Sequence, residues 1–126
     1  MPIINISKQD ILRQQTLEPG WYKCKVSAIV PKASKDKLSL NFETKFVLDV
    51  DERELTTNFN SKAMGMAIPF VEAATGEKIT EEVIIDTDKL IGAKLTIKVD
   101  NEPYDGRLVN KVTNFLPYDA DTTPAF

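Results

Sequence analysis

Trp21, Lys23 and Lys25 alternate with Tyr22, Cys24 and Val26 in the run Gly20-Trp21-Tyr22-Lys23-Cys24-Lys25-Val26-Ser27-Ala28-Ile29-Val30. A two-residue period puts one set on each side of a β-strand. Tyr22, Cys24, Val26, Ala28 and Val30 are therefore expected to pack a core, while Trp21, Lys23, Lys25, Ser27 and Ile29 face outward. An indole beside two ammonium groups is what a strand needs to stack a nucleic-acid base and hold its phosphates. The exposed face of an ordinary antiparallel strand can carry the same residues, so the rest of the chain decides between the two.

The neighbouring cations favour binding. Between Gly20 and Leu48 six lysines (Lys23, Lys25, Lys32, Lys35, Lys37 and Lys45) stand against Asp36 and Glu43, a local charge of +4 in a chain of net charge −3. Glu72 to Asp88 is the opposite pole, with six carboxylates against Lys78, a local −5. How charge is distributed matters more for a polyanion than its total. Arg107 and Lys111 add cations on the last expected strand, which in a closed barrel neighbours the first. Trp21, Tyr22, Phe59 and Tyr104 are the aromatics able to stack bases. Trp21 is the first candidate, with Tyr104 and Phe59 behind it, and Phe42 and Phe46 read as core. At about 1 to 3 kcal/mol per stacked base, two platforms with four or five phosphate contacts suffice for sequence-tolerant binding of a single strand.

Catalysis has no comparable constellation. The chain holds no histidine, the commonest general base and metal ligand, and its one cysteine falls on the apolar side of its strand. Gly65 and Gly76 are isolated and no Gly-x-x-x-x-Gly-Lys run occurs. Glu81, Glu82, Asp86 and Asp88 lack the regular spacing of a calcium loop. No enzyme, metal or cofactor is expected.

The 126 residues, 42% of them hydrophobic, suit one domain with a real core. That domain is expected over 1–117, with a flexible acidic tail over 118–126. No apolar run approaches the ~18 residues that cross a bilayer. Met1 to Asp10 lacks the basic start and apolar run of a signal peptide. The chain is expected to be soluble and cytoplasmic, with no membrane partner.

The elements that position these residues follow from the pattern. Ser7, with Asp10 three residues on, caps a short helical segment over 7–16 that Pro19-Gly20 ends. The first strand leads into a basic loop over Pro31 to Lys37, a candidate flap over a ligand. Leu38 to Val50 reads as one long strand with Leu38, Leu40, Phe42, Phe46, Leu48 and Val50 on one face. Glu54 to Asn60 is a third strand with Leu55, Thr57 and Phe59 together. Ser61 can cap helical turns that Pro69 would interrupt, which leaves either two short helical pieces or one kinked one. Lys78 to Ile85 fits strand or loop, and Asp86 to Gly92 is a capped helical turn closed by glycine. Ala93 to Asp100 alternates Leu95, Ile97 and Val99 against Lys94, Thr96 and Lys98. A loop over Asn101 to Gly106 then leads to a last strand over Arg107 to Phe115. Three strands, a helical insertion and two strands make an all-β chain with minor helix. The expected architecture is an OB-fold-like five-stranded antiparallel barrel with a helical insertion between strands 3 and 4, a fold whose second and third strands and adjoining loops bind oligonucleotides. The alternatives are an immunoglobulin-like sandwich, which needs about seven strands, and another small barrel.

Two resemblances bear on function. Tyr118-Asp119-Ala120-Asp121-Thr122-Thr123-Pro124-Ala125-Phe126 is acidic and ends on an aromatic, and it resembles the C-terminal tip of bacterial and some phage single-stranded-DNA-binding proteins. That resemblance implies recruitment of replication or recombination proteins through Asp119, Asp121, Pro124 and Phe126. The tail is shorter than those tips, lacks their Gly- and Gln-rich linker and is less densely acidic. The runs Leu17-Glu18-Pro19-Gly20-Trp21-Tyr22, the Leu38 to Val50 strand, Leu90-Ile91-Gly92-Ala93-Lys94, Tyr104-Asp105-Gly106-Arg107 and Asn110 to Pro117 resemble a family of small phage proteins of unassigned function, encoded among replication and recombination genes. This implies a phage replication setting in a bacterial host and identifies no DNA-contacting residue.

The expected function is therefore single-stranded-DNA binding through a basic, aromatic-bearing groove. A protein-interaction module that inhibits or recruits a host factor, its acidity mimicking DNA, is the alternative. A structural virion component, which would form a large oligomer, is the third.

Overall fold

The computed structural model describes residues 2–14, 16–35 and 37–120, without the side chains of Arg13, Gln14 and Arg107. Asp121, Pro124 and Phe126 of the expected tail motif lie outside the described residues.

Helix α1 (Lys8–Gln14) opens on the expected capping box: the Asp10 N–H donates to Ser7 Oγ at 3.1 Å and the Ser7 N–H to Asp10 Oδ2 at 3.0 Å. Strands β1 (Gly20–Ala33), β2 (Leu40–Leu48) and β3 (Glu54–Asn60) follow. A 3-10 stretch (Ser61–Ala67) then runs directly into α2 (Ile68–Thr75). Pro69 sits in the first turn of α2, where no intrahelical N–H is needed, so of the two expected outcomes the structure has two short helical pieces, and Pro69 lies at the start of the second. Gly76, at φ 76°, ends α2 in the left-handed conformation and donates to the Glu72 carbonyl at 2.8 Å. Residues 77–86 are neither strand nor helix. A 3-10 turn (Thr87–Lys89) capped by Asp86 leads to β4 (Lys94–Tyr104) and β5 (Arg107–Pro117).

The five strands form one antiparallel sheet in the order β3-β2-β1-β4-β5. The expectation that the last strand neighbours the first is corrected: β4 lies beside β1, and β5 is an edge. The sheet is not closed, since no hydrogen-bond ladder joins β3 to β5 among the described residues. These two edges nevertheless run in the same direction and approach each other. Arg53, just before β3, donates from Nη1 to Asn110 Oδ1 on β5 at 3.3 Å. Phe59 on β3 and Phe115 on β5 have ring centroids 5.9 Å apart. Phe70 of α2 stacks on Phe59 at 5.2 Å and meets Phe115 at 5.5 Å, so the helical insertion fills the space between the edges.

Three local expectations change. Alternation holds in β1 through Cys24 and Val26, both buried, but a bulge between Val26 and Ala28 shifts the phase. Ile29 then packs on the core and Val30 is exposed, because one inserted residue exchanges the faces of everything after it. Second, β2 is shorter than Leu38 to Val50; those two end residues are exposed, and Phe42, Thr44, Phe46 and Leu48 point inward. Third, Asn101 to Tyr104 are strand, and the β4–β5 turn is Asp105-Gly106 alone, at φ 50° and 80°. Two successive positive φ values are what a two-residue type I′ hairpin requires.

Candidate nucleic-acid interface

β1 and β4 are registered so that Trp21 faces Lys98, Lys23 faces Thr96 and Lys25 faces Lys94. Cys24, Val26, Leu95, Ile97 and Val99 fill the inner side of these strands, which turns the intervening residues outward. The outer face therefore carries Trp21, half-buried, with Lys23, Lys25, Lys94 and Lys98 around it. Among the described residues none of these four lysines has a carboxylate oxygen within 4.0 Å.

Tyr118 lies on the same face. Its ring sits under Lys23 Nζ at 4.6 Å and Lys94 Nζ at 5.5 Å, its hydroxyl donates to Asp49 Oδ2 at 2.6 Å, and its carbonyl accepts from Thr96 Oγ1 at 3.3 Å. The hydrogen bond to Asp49, reinforced by partial burial and that carboxylate's charge, holds the phenol above its ordinary pKa, so it is a neutral donor. A neutral ring clamped between two ammonium groups leaves the cations in place. Thr96 is buried beneath it although it points to the outer side of the sheet.

The other expected contacts are dispersed. Lys32 belongs to β1, not to a flap, and it pairs with Glu43 at 2.7 Å; Lys45 lies 3.9 Å from the same carboxylate. The hydrogen bond from Lys32, with the charges of Lys32 and Lys45, holds the Glu43 carboxyl below its ordinary pKa, so the two lysines share one carboxylate and the trio keeps a single positive charge. Lys35 and Lys37 are exposed at the far end of the β1–β2 hairpin, about 30 Å of strand from Lys25. That loop is pinned by Lys37 N–H to the Ser34 carbonyl and Ser34 N–H to the Ser39 carbonyl. Tyr104 is exposed at the tip of the β4–β5 hairpin, and Lys111 pairs with Glu102 at 3.0 Å. The Arg107 side chain lies outside the described residues.

Phe59 is corrected outright. It is 6% exposed and stacked on Phe70, so it is a core residue and no platform for a base.

No family model and no curated protein matches the chain. The site has to be read from its own chemistry. Lys94, Lys98 and Tyr118 are the residues sequence reasoning passed over. The polar face of Ala93 to Asp100 exposed the two lysines as a pattern, but only the β1–β4 register brings them to Trp21. No described group of three or more His, Cys, Asp or Glu residues is arranged to hold a metal ion.

Proposed function

We propose that the chain binds single-stranded nucleic acid, DNA in a phage replication or recombination setting, across the outer face of β1 and β4. The observation that carries this reading is Lys25 directly opposite Lys94, neither with a carboxylate oxygen within 4.0 Å among the described residues. Like charges placed directly opposite on neighbouring strands are unfavourable. A phosphate backbone laid across them removes that cost. Trp21 stacks a base, Tyr118 offers a second aromatic, and Lys23, Lys25, Lys94 and Lys98 take phosphates. Lys32 and Lys45 extend the track once a phosphate competes with Glu43, and Asp119 begins the tail through which partner proteins are recruited. We read the sheet as an OB-type barrel open between β3 and β5. The strand order, the parallel approach of the two edges and the helix between β3 and β4 support that reading.

The test is anisotropy of labelled oligo-dT against a duplex of equal length, titrated at several salt concentrations. Four phosphate contacts predict a slope of about −3 in log K against log salt for the single strand, at about −0.7 per contact. Equal affinity for duplex, or no binding at low salt, contradicts the proposal.

A further inference from the structure

On the inner side of the sheet, away from the lysines, lies a cavity of about 470 Å³. Ile29, Phe42 and Phe59 form its floor, Ile68 and Phe70 one wall, and Ile85 part of the other. Residues of the stretch 77–86, which pairs with no strand among the described residues, line it as well. Glu81 and Glu82 stand at its margin, both exposed and neither in an ion pair among the described residues. They belong to the Glu72 to Asp88 run with its local charge of −5. Beside them the apolar surface continues outward: Val83 is 55% exposed and Ile84 98%.

An apolar hole with an acidic margin selects its occupant by charge. A free anion or a nucleic acid is repelled. A small apolar ligand would fill the hole and leave Val83 and Ile84 wet, whereas a chain segment covers both. We propose that this cavity is a docking site for a partner protein's basic segment, which inserts one or two bulky apolar side chains while flanking lysines or arginines meet Glu81 and Glu82. Buried aromatic or aliphatic anchors ringed by charge are the usual form of such a contact. The site is independent of the nucleic-acid face, which lies on the other side of the sheet.

The probe is a fluorescein-labelled synthetic peptide with a central Phe-Leu-Phe run flanked on both sides by lysines, mixed with the full chain in the absence of nucleic acid. Two controls carry serines in place of the apolar run, or glutamates in place of the lysines. Binding is expected for the first peptide, and binding at least about tenfold weaker for each control. Gly65 lines the cavity, and a Cβ added there meets nothing within 4 Å, so Gly65→Trp adds an indole to the lining without a clash at Cβ. This variant is expected to weaken the peptide at least about tenfold with an unchanged melting curve. The exposed pair Glu81→Lys and Glu82→Lys supplies the same test should Gly65→Trp fold poorly. No binding, equal binding of either control, or unaltered binding by the variants overturns the proposal. So does self-association of the chain alone that Gly65→Trp abolishes, because the occupant is then a second copy.

Discussion

Phe59 and Phe115 face each other at 5.9 Å from the two edges of an open sheet, with no ladder joining their strands among the described residues. Side chains thus hold together what backbone hydrogen bonds do not. Phe46 and Phe70 complete the cluster, Phe70 edge-on to Phe46 at 5.6 Å and stacked on Phe59. The cluster packs on the inner side of the sheet, the side to which Cys24, Val26, Leu95, Ile97 and Val99 also point, which leaves the alternate residues of β1 and β4 outward.

Phe59→Ala is expected to cost about 3 to 5 kcal/mol, the usual loss for a buried aromatic. Urea unfolding measures it. Oligonucleotide affinity of the folded fraction should stay at the wild-type value, since Phe59 is inside. A variant of native stability with weakened binding would return Phe59 to the interface.

Lys94→Glu separates stability from binding. Opposite Lys25 it replaces a repulsive pair with an attractive one, and it loses the contact of Lys94 with the Tyr118 ring, so the two changes offset and the free protein stays within about 1 kcal/mol of wild type. Oligo-dT affinity falls, because one phosphate contact is lost and a carboxylate now faces the backbone. On the same sample the melting curve should stay near the wild-type one while anisotropy shows weakened binding.

Glu43→Gln frees Lys32 and Lys45 from their shared partner. Binding is expected to tighten, and the salt slope to steepen by about 0.7 for each lysine recruited. As an exposed ion pair its loss should change stability by less than about 1 kcal/mol.

Cys24 is completely buried, and burial together with the Asp49 charge pushes its thiol from 9.0 up to about 12. A folded-state pKa above the unfolded one means that the native state holds the proton more tightly. Its contribution is complete below pH 9 and is lost as pH rises toward 12. At pH 8 a thiol reagent should leave the native protein unmodified and label it fully in denaturant. Rapid native labelling would contradict the burial.

Much of this was legible in the sequence, and the failures share a cause. The capping box at Ser7 and Asp10, the Asp86 to Gly92 turn and the shared side of Leu55, Thr57 and Phe59 are local patterns set within a few residues. The bulge after Val26 is not local: it depends on how β1 meets β2, so the face of Ile29 and Val30 was read in the wrong phase. The Asp105-Gly106 turn is a recognised hairpin signal, but polar Asn101 to Tyr104 concealed the strand leading into it. Lys94 and Lys98 join Trp21 only through a pairing across some seventy residues, beyond any window of periodicity. Phe59 was an aromatic without a visible partner until α2 brought Phe70 onto it.

Trp21 is the chain's single tryptophan, so its emission reports on the proposed face alone. The decisive measurement is a titration of intrinsic fluorescence with unlabelled oligo-dT at low salt, repeated with salt added at saturation. Stacking of a base on Trp21 predicts saturable quenching that salt reverses, with a midpoint matching the anisotropy curve. Binding by anisotropy with unchanged Trp21 emission would place the nucleic acid elsewhere on the protein and contradict the β1–β4 interface.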